Sequence, residues 1–194
     1  MPAKSPPPEL PVILFENPAA WAAWLEANHA DAPGIWLRLA TKDAPIHSIS
    51  YAEALDEALC YGWIDSQKKS YDEHSWIQKF TPRGRKSLWS KVNRDKVAAL
   101  GERMKPAGLR EVERAKEDGR WDAAYDSQRN ATVPDDFQAA LDANPAARDF
   151  FATLNGANRY SVLFRIQTAK KPETRARRIE TLVAMLARNE KIHA

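Results

Sequence analysis

The chain has 194 residues, 44% of them hydrophobic and 28% charged, which suits one domain, or one with a small appended module, and supplies a proper core. Its single cysteine, Cys60, excludes an intramolecular disulfide framework and fits a reducing compartment. No apolar run approaches the roughly 18–20 residues that span a bilayer, and the opening "MPAKSPPPEL" lacks the apolar stretch of a secretory signal, so a cytoplasmic globular protein is expected.

The net charge of +3 is unevenly spread. Between Arg83 and Lys105 there are eight Lys/Arg against two acidic residues, and from Arg165 to Lys191 eight against three. The rest of the chain is net acidic. Such asymmetry points to anionic partners without saying which.

In chain order, residues 1–11 hold five prolines and read as a disordered leader. Asn17–Pro18 is a helix start, a capping side chain followed by a residue whose missing N–H costs nothing there. The helix through "PAAWAAWLEANH" places Trp21, Trp24 and Leu25 on one face. "GIWLRLAT" alternates Ile35, Leu37 and Leu39 against Trp36 and Arg38, the pattern of a strand. Ser50 and Glu53 form a capping box opening "YAEALDEALCY", and Gly62 is placed to end that helix in the left-handed region. "WIDSQKKSY" and "SWIQKF" follow as short antiparallel strands around the polar turn "DEH".

After Pro82 the pattern turns helical. "NRDKVAALGERM" and "AGLREVERAKEDG" are separated by Lys105–Pro106, with Gly119 as a C-terminal cap. "PDDFQAALDA", "NPAARDFFATL", "NRYSVLFRIQTA" and "PETRARRIETLVAMLARN" complete the set. The expected fold class is α+β: a small antiparallel sheet with helices over residues 12–130, then an all-helical module over 134–194, joined through "SQRNATVP".

Few chemistries survive inspection. His29, His47, His74 and His193 are scattered singly and one cysteine cannot build a zinc knuckle, so no metal is expected. Phosphate-cradling glycine motifs are absent, and no cofactor is expected. Cys60 falls in the last turn of its helix, where the macrodipole opposes a thiolate; it reads as a buried, inert thiol rather than a nucleophile. No catalytic residue is assigned.

The strongest constellation is "FTPRGRKSLWSKVN", residues 80–93. It gathers Arg83, Arg85, Lys86 and Lys91 with Ser87, Ser90, Asn93 and Trp89: guanidinium forks, hydroxyls and a flat apolar wall, the parts of an anion pocket. A solvated loop carrying cap residues and a core tryptophan fits the same letters. The second basic segment, "AKKPETRARRIETLVAML", pairs an apolar helical face of Ile179, Leu182, Val183 and Leu186 with Arg175, Arg177 and Arg178. It reads as a packed helix with a charged outer face, or as a helix lying on nucleic acid or an anionic membrane.

Taken together, "ISYAEALDEALCYGWIDSQKKSYDEHSWIQKFTPRGRKSLWSKVN", "RMKPAGLREVERAKEDGRW", "VPDDFQAAL" and "AKKPETRARRIETLVAML" resemble the bacterial YdeI/OmpD-associated family, also called bacteriocin-protection proteins. The resemblance covers nearly the whole chain after the proline leader. It implies protection against bacteriocins and cationic antimicrobial peptides, and association with an outer-membrane porin; it carries no catalytic residues. A related superfamily, the frataxin-like YjbR/CyaY proteins, implies an α/β sandwich for the N-terminal part.

The resulting expectation is a cytoplasmic stress protein of the bacteriocin-protection type, more a binder than an enzyme. It would hold an anionic small molecule or protein partner in a cleft with Trp63, Asp65 and Trp76 on one wall. Arg83, Arg85, Ser87, Trp89, Ser90 and Asn93 would form the other. The alternative is nucleic-acid binding through segments 83–105 and 165–191.

Overall fold

The computed structural model describes residues 9–193, so most of the expected leader lies outside the described residues. The chain divides into two compact units. One comprises the chain through Ser87 together with Asn93–Trp121; the other comprises Leu88–Val92 and everything from Asp122 onward.

In the first unit, β1 (Val12–Leu14), α1 (Pro18–Asn28) and β2 (Ile35–Ala40) form a βαβ crossover. Then come α2 (Tyr51–Cys60) and the hairpin of β3 (Trp63–Asp72) and β4 (Ser75–Pro82). The sheet order is β1-β2-β4-β3. The α+β class stands, but the sheet is mixed: β2, β4 and β3 are antiparallel, while β1 pairs with β2 in parallel. A helical connection brings the next strand back in the same direction, which a tight turn cannot do. Pro11, at the end of the expected leader, already joins the sheet edge through its carbonyl, which accepts the Trp36 N–H at 2.9 Å.

The helix starts follow their local codes. Asn17 accepts the Ala20 N–H, and Ser50 and Glu53 close the reciprocal capping box. Gly62, at φ +74°, turns the chain out of α2 into β3 in a conformation L side chains rarely adopt.

Ile35, Leu37 and Leu39 of β2 share a sheet face with Phe80 of β4. They are buried with Trp21 and Leu25 of α1 and Leu55 and Leu59 of α2. Trp21 is the hub. Its ring stacks on Trp24 at 5.4 Å, meets Trp63 edge-on at 6.2 Å, and lies 5.1 Å from Phe15 and 5.9 Å from Phe80. Its indole N–H donates to the Ala54 carbonyl at 3.0 Å, so the ring is buried without an unsatisfied donor.

Past the sheet come α3 (Lys91–Leu100), a 3-10 turn at Gly101–Arg103, and α4 (Pro106–Glu117), which closes on Asp118 and left-handed Gly119. The helix anticipated through Met104 therefore gives way at Gly101, whose φ of +50° is also left-handed. Gly108 of α4 lies against the last turn of α2, and the Lys105 N–H donates to the Cys60 carbonyl at 3.1 Å.

The second unit contains α5 (Asp135–Asp142), α6 (Pro145–Thr153), α7 (Gly156–Gln167) and α8 (Pro172–Ala187). Asn144 and Asn155 cap α6 and α7, accepting the N–H groups of Ala147 and Asn158. The core joins Phe137, Leu141, Phe151, Val162, Ile166, Ile179, Leu182 and Leu186. A short backbone pairing between Ser90 and Tyr125 belongs to this unit, flanked by Tyr125 N–H to Trp89 carbonyl and Lys91 N–H to Tyr125 carbonyl.

Candidate functional site

The nine residues singled out by sequence occupy three kinds of place. Trp63 is a core side chain: its ring abuts Trp21 and Trp24, and its indole N–H donates to the His29 carbonyl at 3.1 Å. Asp65 and Trp76 do come together. Asp65 accepts the Tyr51 hydroxyl at 2.7 Å, the Tyr51 ring lies 6.0 Å from that of Trp76, and Lys68 sits 4.1 Å over the Trp76 ring.

Arg83 is buried, and its backbone N–H donates to the Gly62 carbonyl. Arg85 is exposed. Ser87 folds the loop back on itself, its hydroxyl accepting the Gly84 N–H and its N–H reaching the Gly84 carbonyl. Trp89, Ser90 and Asn93 are buried, the first two belonging to the second unit and Asn93 to the first. The loop also has clasps that sequence reasoning missed. Arg120, almost fully buried, donates to the Ser87 carbonyl at 2.9 Å, and Arg114 reaches the Arg83 carbonyl at 3.5 Å. Nothing local marks either arginine as different from its neighbours.

Cys60 is buried at the C-terminal end of α2, and burial, reinforced by the Glu57 charge, pushes its thiol up to about 11. That reduces the thiolate present at neutral pH by about a hundredfold. Iodoacetamide labelling of the native chain should therefore run at least about a hundredfold slower than in denaturant; equal rates would contradict the burial.

Much of the basic charge is engaged internally. In segment 83–105, Lys96 pairs with Asp56 at 2.6 Å, Arg103 with Glu57, and Lys91 with Asp126 at 2.7 Å. Arg94 donates to the Trp121 carbonyl at 2.8 Å. In segment 165–191, Arg175 grips Asp136 through two bonds of 2.6 and 2.8 Å and adds a third to the Ile166 carbonyl. The Arg175 hydrogen bond, ahead of its charge, holds the Asp136 carboxyl below its ordinary pKa. Arg165 and Arg177 have no side-chain hydrogen bond or ion pair among the described residues.

These two arginines line the same depression in the second unit, a groove of about 460 Å³ between the last turns of α7 and the middle turns of α8. Phe164 and Leu182 give it apolar walls, Arg165, Arg177 and Arg178 its charge, and Thr168 and Thr181 its hydroxyls. No acidic side chain lines it among the described residues. The hydroxyl hydrogens are already placed, Thr168 donating to the Phe164 carbonyl and Thr181 to the Arg177 carbonyl. Both hydroxyls are therefore left to act as acceptors. Arg178 uses one nitrogen on the Arg165 carbonyl and Thr168, which braces its guanidinium. The groove thus offers positive charge beside apolar surface. Its size falls within the roughly 300–1,000 Å³ of small-molecule sites.

Among the described residues no group of three or more His, Cys, Asp or Glu side chains is placed to hold a metal ion. No helix there is long and apolar enough to cross a membrane.

No curated protein and no solved structure matches the chain. Residues 130–189, which include the whole groove, match the family model described as Bacteriocin-protection, YdeI or OmpD-Associated, as the sequence motifs implied. Residues 13–111, half of the chain, match the model described as Domain of unknown function (DUF8412). The chain therefore belongs to the DUF8412 family and carries, behind that domain, a bacteriocin-protection, YdeI/OmpD-associated segment.

Proposed function

We propose that this chain is a protein of the bacteriocin-protection type that works by binding an anionic ligand, and that the ligand's seat is the groove between α7 and α8. The observation that carries the reading is the pairing of Arg165 and Arg177, both without an internal anion among the described residues, with the apolar walls of Phe164 and Leu182. The groove also lies within the segment that matches the bacteriocin-protection family. Its chemistry suits a small anion with an apolar part: a phosphate or carboxylate held by guanidinium forks, with a hydrocarbon body against the ring and the leucine. The two threonines, acceptors only, would orient hydroxyls on that body rather than the anion itself.

A thermal-shift comparison of inorganic phosphate, phenyl phosphate and a short single-stranded oligonucleotide tests the reading. Phenyl phosphate should raise the melting temperature more than inorganic phosphate at equal concentration, because binding the folded state stabilises it. No shift with phenyl phosphate would remove the support for the groove.

Nucleic-acid binding is the second reading, favoured by the exposed cations Arg85, Lys86, Lys105, Lys170 and Lys171. The aromatic faces that would stack on bases are already occupied: Lys69 lies 4.6 Å over Trp36, Arg38 5.0 Å over Tyr71, and Lys68 over Trp76. A base would have to displace each cation. Oligonucleotide binding that weakens steeply with salt, and exceeds that of phenyl phosphate, would favour this second reading.

A further inference from the structure

The first unit holds a separate pocket, of about 380 Å³, built where the end of α1, the end of α2 and the start of α4 meet. Glu26 reaches it from α1 and His29 from just past the end of α1, Tyr61 closes α2 beside it, Lys105 immediately precedes α4, and Ala107 and Arg110 lie in the first turns of α4. Its volume is in the range of small-molecule sites.

The polar groups here have defined roles. The His29 Nδ1 lies 2.8 Å from the Leu25 carbonyl, and a carbonyl only accepts. Nδ1 therefore carries the hydrogen, and in the neutral ring Nε2 is left as an acceptor. The Tyr61 hydroxyl donates to Glu26 Oε2 at 2.8 Å, and burial, ahead of the Glu26 bond, keeps that phenol protonated well above its ordinary range. Glu26 Oε1 accepts no hydrogen bond among the described residues. Lys105 is anchored by its backbone to the Cys60 carbonyl, while its ammonium and the Arg110 guanidinium, both exposed, have no ion-pair partner there.

The pocket consequently carries both signs. A simple anion would meet the Glu26 carboxylate, and a simple cation would meet Lys105 and Arg110. A molecule with a carboxylate and an ammonium a few bonds apart satisfies both sides. No side chain caps α4 at Lys105, and Pro106 and Ala107 of its first turn complete the lining on the side of the two cations. We propose that this pocket binds a free α-amino acid as the zwitterion, its carboxylate on Lys105 and Arg110 and its ammonium on Glu26 Oε1 and His29 Nε2.

The test titrates the full chain by calorimetry with the proteinogenic amino acids at millimolar concentration. For each one that binds, the N-acetyl and carboxamide derivatives follow. At least one amino acid should bind saturably, and loss of either charge in its derivatives should weaken binding about tenfold or more. Glu26→Gln, which keeps the shape and an acceptor for Tyr61, should weaken it comparably, as should Arg110→Ala. Arg165→Ala should leave it unchanged, which separates this pocket from the groove whichever of the two fails. The proposal is overturned if no amino acid binds, if the derivatives bind as well as their parent, or if Glu26→Gln binds unchanged. Because the derivatives probe both charges on the unaltered chain, a variant that misfolds does not obscure the result.

Discussion

Alanine at Trp21 is expected to remove about 3–5 kcal/mol of stability, the usual range for deleting a buried aromatic ring. Trp21 is wholly inaccessible and touches the rings of Phe15 before α1, of Trp24 on α1 itself, and of Trp63 and Phe80 in the sheet. Three effects act in the same direction. The transfer free energy of the indole is lost, a cavity opens among Trp24, Trp63 and Phe80, and the Ala54 carbonyl loses its donor. Neighbours that are themselves rigid rings refill such a space poorly, which places the cost towards the upper end. Against a domain stability of roughly 5–15 kcal/mol, that is about a fifth or more of the total. Chemical denaturation followed by circular dichroism measures it, and Trp21→Phe should restore much of the loss. A Trp21→Ala chain within about 1 kcal/mol of the parent would mean that the aromatic cluster does not organise the first unit.

Gly108→Ala should also destabilise, although helix propensity alone predicts a gain of about 1 kcal/mol. A Cβ at this position would sit 2.3 Å from the Cys60 carbonyl oxygen and 2.8 Å from that of Leu59. Both are backbone atoms of α2 and cannot swing aside as a side chain would. Relief requires α4 to move off α2, which strains the Lys105 N–H to Cys60 carbonyl bond and the packing of Val112 and Ala115 beyond it. Overpacking costs about 1–3 kcal/mol, and a 2.3 Å approach to a backbone oxygen calls for the upper end, so a net loss of about 2 kcal/mol remains after the propensity gain. Gly119→Ala is the useful contrast. Nothing lies within 4 Å of a Cβ there, and only its left-handed φ of +75° opposes the change, by about 1–2 kcal/mol. A stabilised Gly108→Ala chain would show that α4 does not press against α2 as described.

What could be read before the structure was what is encoded locally. Asn17–Pro18, the Ser50/Glu53 box, Gly62, Gly119 and Asn144–Pro145 act through groups two to four residues away, and each sits where its letters place it. β1 escaped because three residues are too few to show alternation, and its partner β2 is reached only across α1. The charge pattern misled in a different way. The excess over 83–105 looks like a basic surface until Asp56 and Glu57, some forty residues earlier on α2, are found beside Lys96 and Arg103. Conversely, the groove is cationic because Arg165 and Arg177, which line it, pair with no acid among the described residues, whereas Arg175 outside it is engaged by Asp136. No property of a single segment distinguishes those three arginines; only the packing of α5, α7 and α8 does.

The most direct measurement is a calorimetric titration of phenyl phosphate into the unaltered chain and into the double variant Arg165→Ala/Arg177→Ala. Each exposed guanidinium that meets the anion should contribute roughly 0.5–1 kcal/mol, so the double variant should bind about five- to thirtyfold more weakly while melting at an unchanged temperature. Equal affinity in the two chains, or no saturable binding in the unaltered one, would contradict the assignment of the anion to the α7–α8 groove.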